Sequence, residues 1–196
     1  MAHRIVGTNA DDYIDSTEET TDAIFGKDGQ DTIHAGPLSD IVFGGNGDDN
    51  IEGGTGADRL FGGDGYDNLY ADTVWIDDAV GVDMLFGGAK VDGLYGSLGR
   101  DVLFGGADHD DIHGNGGNDI LIGGTGGDLF YFPSADEGRD VILDFENGLD
   151  VLDIDPDRMH VVDMGPMVRI DYEFGSVILA NISDPALIDT SDFLLV

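Results

Sequence analysis

The stretch Gly26-Lys27-Asp28-Gly29-Gln30-Asp31-Thr32-Ile33-His34 decides how this chain is read. The next nine residues, 35–43, repeat its plan, and so do 44–52, 53–61 and 62–70. A second run opens at Asp83-Met84-Leu85-Phe86 and continues through 87–95, 96–104, 105–113, 114–122 and 123–131. Upstream, 7–15 fits the plan, and 16–25 fits it with one extra residue. Self-similarity at a fixed period marks a stacked repeat architecture. All thirteen units carry Asp at the sixth position: Asp12, Asp22, Asp31, Asp40, Asp49, Asp58, Asp67, Asp83, Asp92, Asp101, Asp110, Asp119 and Asp128. Two residues later each carries an apolar side chain: Ile14, Ile24, Ile33, Val42, Ile51, Leu60, Leu69, Leu85, Leu94, Leu103, Ile112, Leu121 and Phe130. A low-complexity acidic linker would not hold Asp and an apolar residue in constant phase.

These units resemble the RTX (repeat-in-toxin) family, whose nonapeptide G-G-x-G-x-D-x-U-x is a calcium-binding repeat. The resemblance implies an all-β fold: a right-handed parallel β-roll over residues 1–131, followed by a small antiparallel-β cap over 132–196. It also implies that Ca2+ sits between turns one coil apart, with each Asp shared by the ions above and below. The implied ligands are the thirteen aspartates together with the turn glycines Gly29, Gly47, Gly65, Gly99, Gly117 and Gly126. Were every pair of turns filled, about eleven ions would bind.

Elementary physics supports the same picture. Glycines suit a tight half-turn, because they adopt positive φ and permit close backbone approach. The three residues that follow alternate as a short strand, so the apolar one points inward. Two units make a coil, and coils stack about 4.8 Å apart. Such a core is thin. One apolar side chain per nine residues does not offset roughly 1–2 kcal/mol of backbone entropy per residue. Stacked carboxylates make matters worse, since the formal net charge is −33, from 41 Asp+Glu against 8 Lys+Arg. A hard cation resolves both problems by taking carboxylate and carbonyl oxygens together. The turns 26–31, 44–49, 62–67 and 123–128 are closest to the consensus, with 96–101 and 114–119 the best pair on the other edge. Turns 35–40 and 87–92 are weaker, having Leu38 and Lys90 at the fourth position, where the consensus has glycine, and 105–110 has Asp108 there.

The charge excludes nucleic acid as a partner, because phosphates would be repelled everywhere. No stretch is apolar for long enough to form a membrane-spanning helix. Zero Cys removes disulfides and thiolate zinc. Residues 1–15 contain no apolar core of a cleavable secretory signal. The ending Asp192-Phe193-Leu194-Leu195-Val196 resembles the uncleaved C-terminal signal of RTX proteins exported by a type I secretion system. The expected location is therefore outside a bacterial cell, with the exporter as a partner. An ordinary last strand is the competing reading of the same five residues.

Three further expectations follow. Residues 73–79, with the only Trp at 75, form a longer turn bulging from one edge. Outward positions of alternate units carry Phe25, Phe43, Phe61, Phe86 and Phe104, an apolar stripe that needs a cover. The C-terminal segment is the first candidate for that cover, a second copy of the chain (a homodimer or filament through this face) the next, and a foreign partner or surface the third. In the tail, 140–145 and 149–154 alternate as strands around Glu146-Asn147-Gly148. Residues 167–172 and 176–180 read as a further hairpin, and 185–188 as one helical turn. No H-E-x-x-H, G-x-S-x-G or EF-hand loop is present, so no enzyme is expected. His109 and His113 fall in a turn and a strand rather than on one helix. A calcium-dependent adhesin or carbohydrate-binding accessory module is the alternative function, and an enzyme with an unrecognised site on the cap is a third.

Overall fold

The computed structural model describes residues 3–16, 19–72, 81–132, 138–154, 159–173, 175–182, 185–188 and 192–193. Short strands alternate between two sheets. The first holds β1 (His3–Val6), β3 (Asp22–Asp28), β5 (Ile41–Asn46), β7 (Arg59–Asp64), β9 (Met84–Ala89), β11 (Val102–Ala107), β13 (Ile120–Thr125) and β15 (Gly138–Ile142) in that spatial order. The second holds β2 (Tyr13–Asp15), β4 (Thr32–Pro37), β6 (Asn50–Thr55), β8 (Asn68–Tyr70), β10 (Gly93–Tyr95), β12 (Asp111–His113), β14 (Leu129–Tyr131) and β16 (Val151–Asp153). Every neighbouring pair in this set is parallel, which makes a two-sheet β-roll of about eight coils.

Register follows the repeat. Ile24, Val42, Leu60, Leu85, Leu103, Leu121 and Ile142 stand opposite one another in succession along the first sheet. Ile14, Ile33, Ile51, Leu69, Leu94, Ile112, Phe130 and Leu152 do the same along the second. These two inward columns are the core, and all are buried. A one-residue slip would turn an entire column outward, so burial locks the register. β9 pairs with β7 and sets Phe86 opposite Phe61, so the residues between β8 and β9 add no half-coil. The expected bulge at 73–79, with Trp75, lies outside the described residues.

The parallel ladder is longer than the thirteen units. β1 precedes them, with His3 in the register of Asp22 and Ile5 in that of Ile24. β15 and β16 follow them, one in each sheet, so the strands at 140–145 and 149–154 are successive rungs of the roll. Beyond these, β19 (Gly175–Leu179) adds in parallel to β15, β18 (Val168–Tyr172) is antiparallel to β19, and β17 (His160–Asp163) is antiparallel to β18. The second expected hairpin is thus present as β18–β19, and Pro185–Leu187 forms a 3-10 turn. Phe193 makes an isolated parallel bridge to Leu152 at the end of the second sheet.

The phenylalanine stripe is real. Phe25, Phe43, Phe61 and Phe86 stack ring on ring, with centroids 4.8–5.2 Å apart. Its expected cover is not where the sequence pattern suggested. β17, β18 and β19 extend the edge of the same sheet instead of lying over its face. Among the described residues Phe43 stays 37% and Phe104 36% exposed. Open backbone donors and acceptors at the last rung make edge addition the stronger demand on the C-terminal strands.

Candidate metal site

Each turn delivers its aspartate to the edge of the core, where the chain passes from one sheet to the other. One edge carries Asp12, Asp31, Asp49, Asp67, Asp92, Asp110 and Asp128, and the other Asp22, Asp40, Asp58, Asp83, Asp101 and Asp119. Every one from Asp22 onward is buried, none more than 2% exposed, whereas Asp12 at the first turn is partly open.

The carboxylates are linked rung to rung. Oδ1 of each aspartate accepts the N–H of the aspartate one coil earlier: Asp49 from Asp31 at 2.8 Å, Asp67 from Asp49 at 2.8 Å, Asp83 from Asp58 at 2.7 Å. The chain of bonds runs without a break from Asp12 to Asp128 on one edge and from Asp22 to Asp119 on the other. It then continues to two residues outside the nonapeptide phase, Asp150 and Asp140. Both are buried, and both stand two residues before an inward apolar side chain, Leu152 and Ile142. That D-x-U spacing was visible in the sequence. Irregular intervals of 21 and 22 residues from the preceding aspartate, where 18 is the rule, concealed it.

The second carboxylate oxygen behaves differently. Oδ2 of Asp31, Asp40, Asp49, Asp58, Asp67, Asp92 and Asp110 is buried with no hydrogen-bond partner. All but that of Asp40, whose turn opens with Ala35, lie against the first glycine of their own turn, where a Cβ on Gly44 or Gly62 would collide with Asp49 or Asp67 Oδ2. Backbone carbonyls crowd the same edge, and a Cβ on Gly45 would strike Lys27 O of the preceding rung. An unpaired buried carboxylate oxygen costs several kcal/mol. The arrangement therefore supplies oxygen ligands in excess of protein donors. Among the described residues no three acidic or His side chains converge on a point, so each turn contributes one carboxylate and the rest of its oxygens are carbonyls. This donor set fits Ca2+, which accepts six to eight oxygens of mixed kind in flexible geometry.

Burial also dominates the titration of these groups. It pushes Asp58 and Asp92 up to about 8, Asp49, Asp83 and Asp110 to about 7, and Asp40, Asp67 and Asp128 to about 6, with neighbouring carboxylates adding to the shift. Opposing this, each gains a little from the backbone N–H it accepts. Such a column repels itself when ionised at neutral pH, and a bound divalent cation removes the repulsion.

The turn backbone tolerates departures from consensus. Leu38, Lys90 and Asp108, each standing where a glycine is expected, keep positive φ of 77°, 82° and 77°. Of the six glycines named as ligands, Gly29, Gly47, Gly117 and Gly126 have positive φ, and Gly65 and Gly99 do not. The two histidines do not form a pair: His109 Nδ1 accepts the Gly127 N–H at 2.7 Å, and His113 stacks between Tyr95 and Tyr131 on the outer face of the second sheet.

A parallel roll whose edges gather buried carboxylates and backbone carbonyls is a scaffold for a row of hard cations. The family model of the RTX calcium-binding nonapeptide repeat (4 copies) matches at residues 16–49, 34–69, 77–112 and 95–130, more than half of the chain. The chain belongs to the RTX family of calcium-binding β-roll proteins. Among solved structures it is similar to the extracellular lipase LipA from Serratia marcescens, at 18% identity and a TM-score of 0.44. All of this chain is covered in that comparison, but only 40% of the lipase. No curated protein matches it.

Proposed function

We propose that this protein is a secreted roll whose fold is completed by several Ca2+ ions held between turns one coil apart. The observation that carries this reading is the column of buried, unpartnered Oδ2 atoms at Asp31, Asp49, Asp67, Asp92 and Asp110 on one edge and Asp40 and Asp58 on the other. Bound calcium supplies positive charge and coordination to oxygens that the protein leaves without donors. The chain's own part is to fix those oxygens: Oδ1 is pinned by the preceding rung's N–H, and the inward apolar column keeps successive turns in register. The remaining aspartates of the thirteen, with the turn carbonyls around Gly29, Gly47, Gly65, Gly99, Gly117 and Gly126, complete the candidate set.

Because ion binding and folding are coupled in such a site, the metal-free chain is expected to be largely unfolded. Far-UV circular dichroism of the whole chain at neutral pH and low salt tests this. The β signal should vanish in excess chelator and return with millimolar calcium; a β signal unchanged by chelator refutes the reading.

Export follows the same logic. An unfolded chain in a low-calcium cytosol can be threaded through a type I exporter and fold outside. In the folded chain Asp192 and Phe193 are buried, and Asp192 Oδ1 accepts the Gly148 N–H at 2.9 Å, so these two side chains are open to an exporter only before folding. Deleting residues 192–196 should leave the protein inside an expressing cell that carries the exporter. Undiminished export of the truncated chain overturns the assignment.

A further inference from the structure

The turns are not equivalent, and the difference lies in who satisfies the oxygens. In turn 44–49 the second residue, Gly45, has positive φ, and Asp49 Oδ2 is left without a partner. The same holds at Gly36, Gly54, Gly63, Gly88 and Gly106, whose turns end in Asp40, Asp58, Asp67, Asp92 and Asp110. There the second residue's N–H is directed along the roll, as Gly54 shows by donating to Ala71 O.

Turn 96–101 is built the other way. Its second residue is Ser97, which is not at positive φ. The Ser97 N–H donates to Asp101 Oδ2 at 2.7 Å, and Ser97 Oγ lies 3.0 Å from the same oxygen. Gly99 N–H donates to Ser97 Oγ at 3.0 Å, which fixes the hydroxyl. Asp101 Oδ1 is already taken by the Asp83 N–H at 2.8 Å. The first carbonyl of the turn is taken too, because Asn115 Nδ2 reaches down from the next rung to Gly96 O at 2.8 Å. The carboxylate and the carbonyl that a cation would use are thus filled by protein hydrogens.

The same two-part device recurs at the start of the other edge. Thr8 donates its N–H to Asp12 Oδ2 at 2.5 Å with its hydroxyl 3.0 Å away, and Lys27 Nζ of the next rung caps Gly7 O. Lys27 and Asn115 occupy the second position of their own turns, both at positive φ. In each case a hydroxyl residue holds the aspartate of one rung while a polar side chain of the next rung holds its first carbonyl. Simpler closures mark two other ends: Ser16 and Thr20 bond Asp22, and the Glu146 N–H donates to Asp150 Oδ2 at 2.7 Å.

We propose that these are metal-free rungs, and that Ser97 with Asn115 splits the ion column on its edge into two separate columns. The inference rests on the calcium reading above and adds to it which rungs bind no ion. A donor hydrogen and a cation compete for the same lone pairs, so a rung whose oxygens are saturated by its own chain gains little from an ion.

The test is calcium stoichiometry of the full chain, wild type against S97G/N115G, by isothermal titration calorimetry and by equilibrium dialysis with atomic emission. The double variant restores glycine at both second positions. It should bind one more Ca2+ per chain than wild type. Equal counts in two proteins that both bind calcium overturn this proposal and leave the calcium reading standing. No binding to either overturns both. Should the double variant not fold, wild-type crystals soaked in Tb3+ decide: anomalous peaks are expected beside Asp49 and Asp67 and none between turns 96–101 and 114–119. A peak there overturns the proposal.

Discussion

A rung of the roll and the C-terminal hairpin bury material of opposite kinds. Between β3 and β14 each unit places one large apolar side chain and one carboxylate inside, with Ala35 and Ala71 the small additions. The two five-residue strands β18 and β19 instead bury Val168, Ile170, Val177 and Leu179, each 0% exposed. Ile182, Phe145 and Phe193 also belong to the buried cluster. Each fully buried aliphatic contributes about 1.5–3 kcal/mol. The hairpin therefore holds itself to the last rung by ordinary apolar packing. The roll gathers far less apolar area per residue than its backbone entropy demands, and it adds a charged column that opposes folding until a cation arrives. One end of the molecule is stabilised by what it hides from water, the other by what it binds.

The largest effect that would break this contrast is one of pH. In the unfolded chain the aspartates titrate near 3.9, and in the folded roll burial raises Asp58 and Asp92 to about 8 and Asp49, Asp83 and Asp110 to about 7. A raised folded value means that protonation favours the fold. The stabilisation is full below about pH 4 and disappears as pH rises through 6 to 8. In excess chelator the chain should therefore gain β signal by circular dichroism when taken from pH 8 to pH 5, with no metal present. Salt-bridged carboxylates would give the opposite sign. Loss of structure on acidification of the chelated chain would show that the column is not the element that opposes folding.

How much of this could be read in the sequence depended on phase. The Asp and the apolar residue two places on are locked to a period of nine, so the sheets, their register and the two inward columns follow from counting. The strands β15 and β16 are legible, but as part of a cap and not as rungs, because their aspartates, Asp140 and Asp150, arrive off the nine-residue beat. β1 carries no such signal, since His3 stands in the aspartate register. Turn 96–101 looked close to consensus because Gly96, Gly99 and Asp101 are in place. What Ser97 does there is a matter of one N–H and one hydroxyl, which a pattern of glycines does not report. The phenylalanine stripe was legible, whereas its cover was not, since apolar spacing says that a face needs burial and not which segment provides it.

A substitution in the hairpin sharpens the comparison at smaller scale. Ile170→Ala removes a fully buried side chain and should cost about 2–5 kcal/mol. Its cost should be seen as a fixed drop in the denaturation midpoint at every saturating calcium concentration, with the calcium count unchanged. Asp49→Asn acts on the roll and should instead lower calcium affinity. A calcium count that falls in Ile170→Ala would mean that the two regions are not separable in this way.

The smallest effect isolates the turn backbone from both kinds of burial. Leu38 sits at φ 77° in turn 35–40 and is 49% exposed. A non-glycine residue in the left-handed region costs roughly 1–2 kcal/mol. Leu38→Gly relieves that strain and forfeits little packing. It also loosens the unfolded chain, which takes back about 0.4–1 kcal/mol. The net result should be a roll more stable by about 0.5–1 kcal/mol, read as a small rise in midpoint in saturating calcium. The reverse change, Gly47→Leu at φ 122°, should be strongly destabilising, because a Cβ there would also collide with Gly29 O of the preceding rung. If Leu38→Gly lowers the midpoint, the Leu38 side chain contributes packing that outweighs its backbone strain, and the turns are then not interchangeable frames for the same column of oxygens.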